Sequence, residues 1–253
     1  MKDQVSRVTR LVLAIPLLAA GAAVSQPTAT EIITKADQLT RGLTQHGTES
    51  MTVVRPDWQR EMVFEFWSEG ADKAFIEILE PARHKGATFL KIGREMWQYV
   101  PRINRVIKIP PSMMMQSWMG SDFTNDDLVK ESSIVHDYEH ELLRTDTLRG
   151  DSTWVLQLTA KPDAPVTWTR LVEWIRVGDY VPMRAEYYSE RGELIRTLIF
   201  EDIREFGDRS IPARMVLEEK KKPGHQTILQ IRDVTFNEKI PPGTFTQQNL
   251  RRN

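Results

Sequence analysis

The hydrophobic positions change period once along the chain. Ile32, Ile33, Ala36, Leu39 and Leu43 recur at helical spacing. Thr28 with Glu31 three residues on has the form of a capping box, which satisfies free N–H groups at a helix start. Gly42 and Gly47 bracket the expected helix end. From Trp58 onward the period is two. Met62, Phe64 and Phe66 share one face, and Glu61 and Glu65 take the other. Ala74, Ile76 and Ile78 alternate with Lys73, Phe75 and Glu77. Short runs at 88–92, 96–100 and 105–109 continue the pattern, with Gly93 and Pro101 between them. Half-buried strands joined by short turns predict antiparallel neighbours, with Met62, Phe64, Phe66, Ile76 and Ile78 facing inward and Glu61 and Glu65 facing solvent.

Pro110-Pro111 interrupts this, and residues 112–130 carry no period-two pattern, which predicts short helices and a loop. Strands resume at 138–144, 153–160, 169–177, 183–189, 194–203, 213–220 and 227–236, and the tail from Ile240 to Phe245 reads as extended, fraying beyond. No fixed-period repeat or linker divides the chain. The expectation is a mainly β (α+β) fold: one domain over 26–253, a single curved antiparallel sheet in the form of an incomplete barrel, with helices on its concave apolar face.

The first 25 residues stand apart. Lys2, Arg7 and Arg10 precede the apolar run Leu11–Ala20, and Ala23 and Ser25 occupy the −3 and −1 positions of a cut before Gln26. That order is a secretory signal, too short to span a bilayer comfortably, and predicts export to the periplasm.

Composition narrows the chemistry. With no cysteine there is no disulfide, thiolate metal site or Cys nucleophile. Lys plus Arg is 34 against 35 acidic residues, so no broad nucleic-acid surface is expected. GxSxG, HExxH, GxGxxG and the P-loop pattern are absent, and no two carboxylates are visibly set against each other, so an enzyme is not expected. His136 and His140 have metal-pair spacing, but solvated strand histidines explain them, and no metal or other cofactor is expected. Asp122, Asp126 and Asp127 lack the spacing of a calcium loop; Ser121, Asp122 and Asn125 read instead as helix N-caps. Lys220, Lys221 and Lys222 read as a solvated hairpin tip offset by Glu218 and Glu219.

Met113, Met114, Met115 and Met119, with Trp118 and Phe123, are the most distinctive cluster. One explanation is a helix packed on the sheet. Consecutive methionines do not all face one core, however, and flexible thioethers suit a surface that repacks around apolar ligands. These six, with Met62, Phe64, Phe66, Ile76 and Ile78, are the expected wall and lid of a lipid cavity.

Four segments resemble blocks of the LolA-like, outer-membrane lipoprotein-sorting proteins: ADQLTRG at 36–42, ILEPARHKGATFLKIG at 78–93, MWQYVPRINRVIKIP at 96–110 and MGSDFTNDDL at 119–128. The resemblance implies an incomplete antiparallel barrel plugged by helices. It also implies a carrier of lipoprotein acyl chains or other lipids, with an inner-membrane transporter and an outer-membrane receptor as partners. A lipid sensor, or an accessory subunit docked on a lipid exporter, is the alternative. At ~0.8 kcal/mol per buried CH2, three long chains would exceed the ~20 kcal/mol ceiling on non-covalent affinity. Full burial must therefore be offset by opening the lid, or the chains must stay partly exposed.

Overall fold

The computed structural model describes residues 26–129, 134–162, 164 and 166–251. The expected signal segment, and its cut, lie outside the described residues. Helix α1 (Ala29–Arg41) opens with Thr28 as N-cap, and both halves of the capping box with Glu31 are formed. Its Ile32, Ile33 and Ala36 are buried, but Leu43 falls beyond the helix and is exposed.

Strands β1 (Thr44–Arg55), β2 (Trp58–Glu69), β3 (Lys73–Glu80), β4 (Thr88–Ile92), β5 (Glu95–Val100) and β6 (Arg105–Ile109) form one meander. After a short helix α2 (Asn125–Val129) come β7 (Tyr138–Leu148), β8 (Asp151–Ala160), β9 (Arg170–Arg176), β10 (Pro182–Tyr188), β11 (Leu194–Phe206), β12 (Arg209–Glu219) and β13 (Gln226–Phe236), a second meander. The two join where β1 pairs antiparallel with β13, giving one 13-stranded sheet whose edges are β6 and β7. The sheet is not closed.

The central strand β1 is the one the sequence pattern does not announce. Its sequence is polar and includes Gly47. That glycine is required by packing: a Cβ there would lie 2.2 Å from the Asp233 carbonyl oxygen of β13, beside the register shift at Thr48/Glu49. Only a residue without a side chain lets the two backbones approach so closely.

The sheet carries side chains on both faces. On one face Met51, Val53, Met62, Phe64, Ile78, Phe89 and Met96 pack with Ile32, Ile33 and Ala36 of α1 and with Trp118 and Phe123. Met62, Phe64 and Ile78 are therefore inward, as the alternation predicts; Phe66 and Ile76 are half-buried against the same cluster; Glu61 is exposed, whereas Glu65 is half-buried against His46 at 2.8 Å. The opposite face is not simply solvated. Trp67, Phe75, Leu90, Trp97 and Tyr99 form a second core there, closed by Leu250, with Ile240 and Phe245 packed against it. The tail does not fray: a 3-10 turn at Gln247–Arg251 buries Leu250 completely, and Thr88 Oγ1 donates to its carbonyl at 2.7 Å. Two α-helices, not a helical layer, accompany the sheet among the described residues.

Candidate functional site

Between α1 and the face it covers lies a cleft in two lobes. One, of about 190 Å³, is lined by Glu49, Phe64, Phe66, Ile76 and Lys91 among others. The larger, of about 300 Å³, is walled by Ala36, Phe123, Tyr187, Leu198, Phe200 and Met215 among others. Arg41, Gln45, Asp127 and Leu229 border both, so the lobes adjoin. Alternation sets this wall: Leu198 and Phe200 of β11, Met215 of β12, and Leu229 and Ile231 of β13 are spaced two apart within their strands.

The helix end beside the cleft is held by carbonyl acceptors. Arg209 donates to the carbonyls of Gln38 (2.7 Å) and Leu39 (3.0 Å), and Gln45 donates to that of Thr40 (2.7 Å). These occupy the last-turn carbonyls that a helix leaves unpaired. At the other end, His140 bridges Thr30 Oγ1 (3.1 Å) and the Ile134 carbonyl (2.7 Å). It is thus a structural tie between β7 and α1, not the solvated histidine expected; His136 is exposed.

The segment after Pro110-Pro111 packs on the same face and is pinned. Asp122 pairs with Arg55 at 2.9 Å and accepts from Thr227 Oγ1 at 2.7 Å. Arg55 and Arg60 also donate to the Gly120 and Met119 carbonyls. Asp127 takes both terminal nitrogens of Arg196, whose guanidinium lies 4.4 Å from the Trp168 ring centroid and 4.3 Å from that of Tyr187. Asp126 accepts from Thr167 at 2.8 Å. The three aspartates are thus tied to protein partners. The capping expectation also needs correction: Thr124 and Asp127, not Ser121 or Asp122, form the reciprocal cap of α2, and the Asn125 side chain donates to the Met113 carbonyl. Lys220, Lys221 and Lys222 are exposed, with Lys221 bonded to Glu193.

The methionines divide. Met113 and Met115 are exposed, while Met114 and Met119 pack partly buried against the main core. Trp118 is 1% exposed. Of the eleven expected cavity residues, Phe64, Phe66, Ile76 and Phe123 line the cleft; Met62, Ile78 and Trp118 lie buried behind its wall. Sequence reasoning missed the second meander's share. The signal was present in the alternation of residues 198–200 and 229–231, but the polar, Thr-rich start of β1, with Gly47 in it, hid the join that brings the halves together.

The cleft has an acidic member. Glu49 lies on the inner face, opposite Phe64 in β2 and Ile231 in β13, without a hydrogen-bond partner among the described residues. Burial pushes its carboxyl up to about 7. Because the folded value exceeds the unfolded one near 4.5, the native state holds the proton longer. Stability should fall as pH rises from about 4.5 toward 7. Glu49→Gln is expected to remove that loss: urea midpoints of variant and parent coincide near pH 4 and diverge in the variant's favour near pH 8. Parallel curves would contradict it.

A family model described as an uncharacterized protein matches residues 70–252. No curated protein matches the chain. Among solved structures, a LolA superfamily protein from Nitrosomonas europaea is 25% identical, with TM-score 0.74 over 88% of this chain and 100% of that one. An outer membrane lipoprotein-sorting protein domain from Vibrio parahaemolyticus is 22% identical, with TM-score 0.77 over 88% and 98%. A DUF1329 family protein from Desulfovibrio piger is 21% identical, with TM-score 0.80 over 88% and 97%. The fold is therefore the open antiparallel sheet of the LolA superfamily. The chain belongs to the family of that uncharacterized-protein model, and its fold is that of the LolA-like proteins.

Proposed function

We propose that the protein is a periplasmic carrier that shelters the acyl chains of lipoproteins or other lipids in the cleft beneath α1. The observation that carries this reading is the two-lobed cleft itself. It is walled by Phe64, Phe66, Leu198, Phe200, Met215 and Leu229 and sits on a fold shared with lipoprotein-sorting proteins. In this reading α1 and the segment around Trp118 and Phe123 cover the concave side of the sheet, and the exported chain begins at Gln26. No helix among the described residues is long and apolar enough to cross a membrane. The protein acts by binding, not catalysis. Transfer toward the outer membrane, from a transporter to a receptor, is the role such a cleft serves.

The size of the cleft bears on the cargo. Its larger lobe, about 300 Å³, lies at the lower limit of small-molecule sites, about 300–1,000 Å³. Several acyl chains would enter only after widening. The 113–129 segment is pinned by the ion pairs of Asp122 and Asp127, whereas α1 is tied by hydrogen bonds at Thr30, Lys35 and its last-turn carbonyls.

Native mass spectrometry of the protein from its own periplasm, with lipid extraction, tests the reading. The expected species starts at Gln26 and carries an acylated ligand. Phe200→Ser and Met215→Ser, at half-buried wall positions, should each weaken a fluorescent acyl probe about tenfold, the effect of ~1.4 kcal/mol. Exposed Met113→Ser should leave it unchanged. A ligand-free native protein that binds no probe would remove the proposal.

A further inference from the structure

The turns β1–β2, β3–β4, β5–β6 and β12–β13 lie at one end of the sheet. The registers place Val54 opposite Gln226, Val63 opposite Glu80, and Thr88 opposite Tyr99. Their closeness shows at two glycines: a Cβ on Gly86 would lie 3.8 Å from Pro101, and one on Gly224 would lie 3.4 Å from Pro56. This end is strongly cationic. Arg83, Lys85, Arg102 and Arg105 are exposed, and none has a carboxylate within ion-pair distance among the described residues. Lys220 and Lys222 are also exposed, but Glu218, Glu219 and the adjacent β10–β11 turn with Glu190 and Glu193 offset them, so the cationic excess lies at the first three turns. Arg60 and Arg55 stand beside them, Arg55 being neutralised by Asp122. Asp57 and Glu80 are the acidic residues among the first three turns.

The same end exposes large apolar side chains. Trp58 is 50% exposed, with the Arg55 and Arg60 guanidinium carbons 5.8 and 5.9 Å from its ring centroid. Ile103 lies between Arg102 and Arg105 and is 56% exposed. Met113 and Met115 are exposed on the segment that Arg55 and Arg60 hold through the Gly120 and Met119 carbonyls. The cations repel one another enough to matter. Burial, then the charges of Arg83, Arg60 and Arg102, hold His84 below the ordinary imidazole value, so it adds no charge at neutral pH.

A compact set of unpaired cations needs an anionic surface to relieve it. Exposed Trp, Ile and Met among those cations are out of place against a soluble polyanion, but suit the boundary between headgroups and acyl chains. We propose that this end of the sheet docks the protein on a bilayer containing anionic phospholipid. Arg83, Lys85, Arg102 and Arg105 engage phosphate groups, and Trp58, Ile103 and Met115 enter the interfacial layer. The surface is separate from the cleft, so a protein that fails to bind acyl chains could still dock, and the reverse.

Flotation of the purified protein with phosphatidylcholine vesicles, with and without phosphatidylglycerol, tests it. Binding is expected only with phosphatidylglycerol and should fall as salt rises. Each basic residue near such a surface contributes a factor of about five. Arg83→Glu with Arg102→Glu should therefore cut binding more than about twentyfold while leaving the melting temperature and acyl-probe affinity unchanged. Trp58→Ser should weaken vesicle binding at high salt, where the apolar contribution dominates. Equal binding to both vesicle types, or unaltered binding by the double variant, would overturn the proposal. So would a preference for acidic proteins with no vesicle binding.

Discussion

Arg196→Met should cost about 3–5 kcal/mol, the range seen when one partner of a buried ion pair is removed. Arg196 is 2% exposed, and its fork holds both oxygens of Asp127, which also caps α2 through Thr124. Removing the guanidinium leaves a carboxylate stranded over an apolar face. Replacing both partners by apolar residues should recover much of the loss, because the stranded charge goes too. The pH dependence separates this account from a simple packing defect. Burial alone would raise the Asp127 carboxyl, but the hydrogen bonds and charge of Arg196, with those of Thr124, hold it below its usual value. A depressed folded value means the contribution is fully present above the unfolded value of about 3.9. It is lost as pH falls through the folded one. In Arg196→Met only the Thr124 hydrogen bonds still oppose burial, so the Asp127 carboxyl rises and the stability gained as pH climbs through the acid range shrinks. Urea midpoints from acid to neutral pH would show it. A loss under about 1 kcal/mol, the range of an exposed pair, with an unchanged pH profile would refute the assignment.

The strands other than β1 were legible because they keep a period of two and end in Gly, Pro or a charged turn. The runs at 88–92 and 105–109 coincide with β4 and β6. Helix α1 was legible from its capping box. What the pattern does not carry is which distant strands meet. β1 contains Thr, His, Gly, Glu and Ser, and its pairing with β13 depends on a backbone approach at Gly47 that no local propensity records. Without that pair, the first meander's inner face has no visible connection to Leu198, Phe200 and Met215, so half the cleft was not foreseen. The second omission has a different cause. Phe75, Trp67 and Trp97 sit at positions that alternation assigns to solvent. They are buried because the tail returns to cover them, and a covered outer face shows no sign in a strand's own sequence. The aspartates at 122, 126 and 127 raised a metal only because a sequence does not show that Arg55, Thr167 and Arg196, each at least 41 residues away, are their partners.

The segment around Trp118 distinguishes a gate from a clamp. Trp118→Ala should cost about 3–5 kcal/mol, the usual loss for a fully buried Trp or Phe. Its ring centroid lies 5.7 Å from that of Phe64 and 5.3 Å from that of Phe89, joining the loop to β2 and β4. Its backbone N–H donates to the Phe123 carbonyl at 2.8 Å, closing the loop on itself. A mobile lid would not place its largest side chain so deeply, nor fasten both flanks with buried aspartates. Met113→Ser and Met115→Ser, at exposed positions, should lie within about 0.5 kcal/mol of the parent. Trp118→Phe gives the finer test. The indole Nε1 has no acceptor among the described residues, and a buried donor left unpaired costs about 1–3 kcal/mol. Phe removes that donor and keeps most of the ring contacts, so its net cost should stay under about 1.5 kcal/mol, as for tolerated core swaps. If the segment is a clamp, urea midpoints fall in the order parent, Phe, Ala, and acyl-probe on-rates for Met113→Ser and Met115→Ser match the parent's. If Trp118→Ala instead leaves the midpoint unchanged while speeding probe entry, the segment is the gate and the opening does not lie at α1.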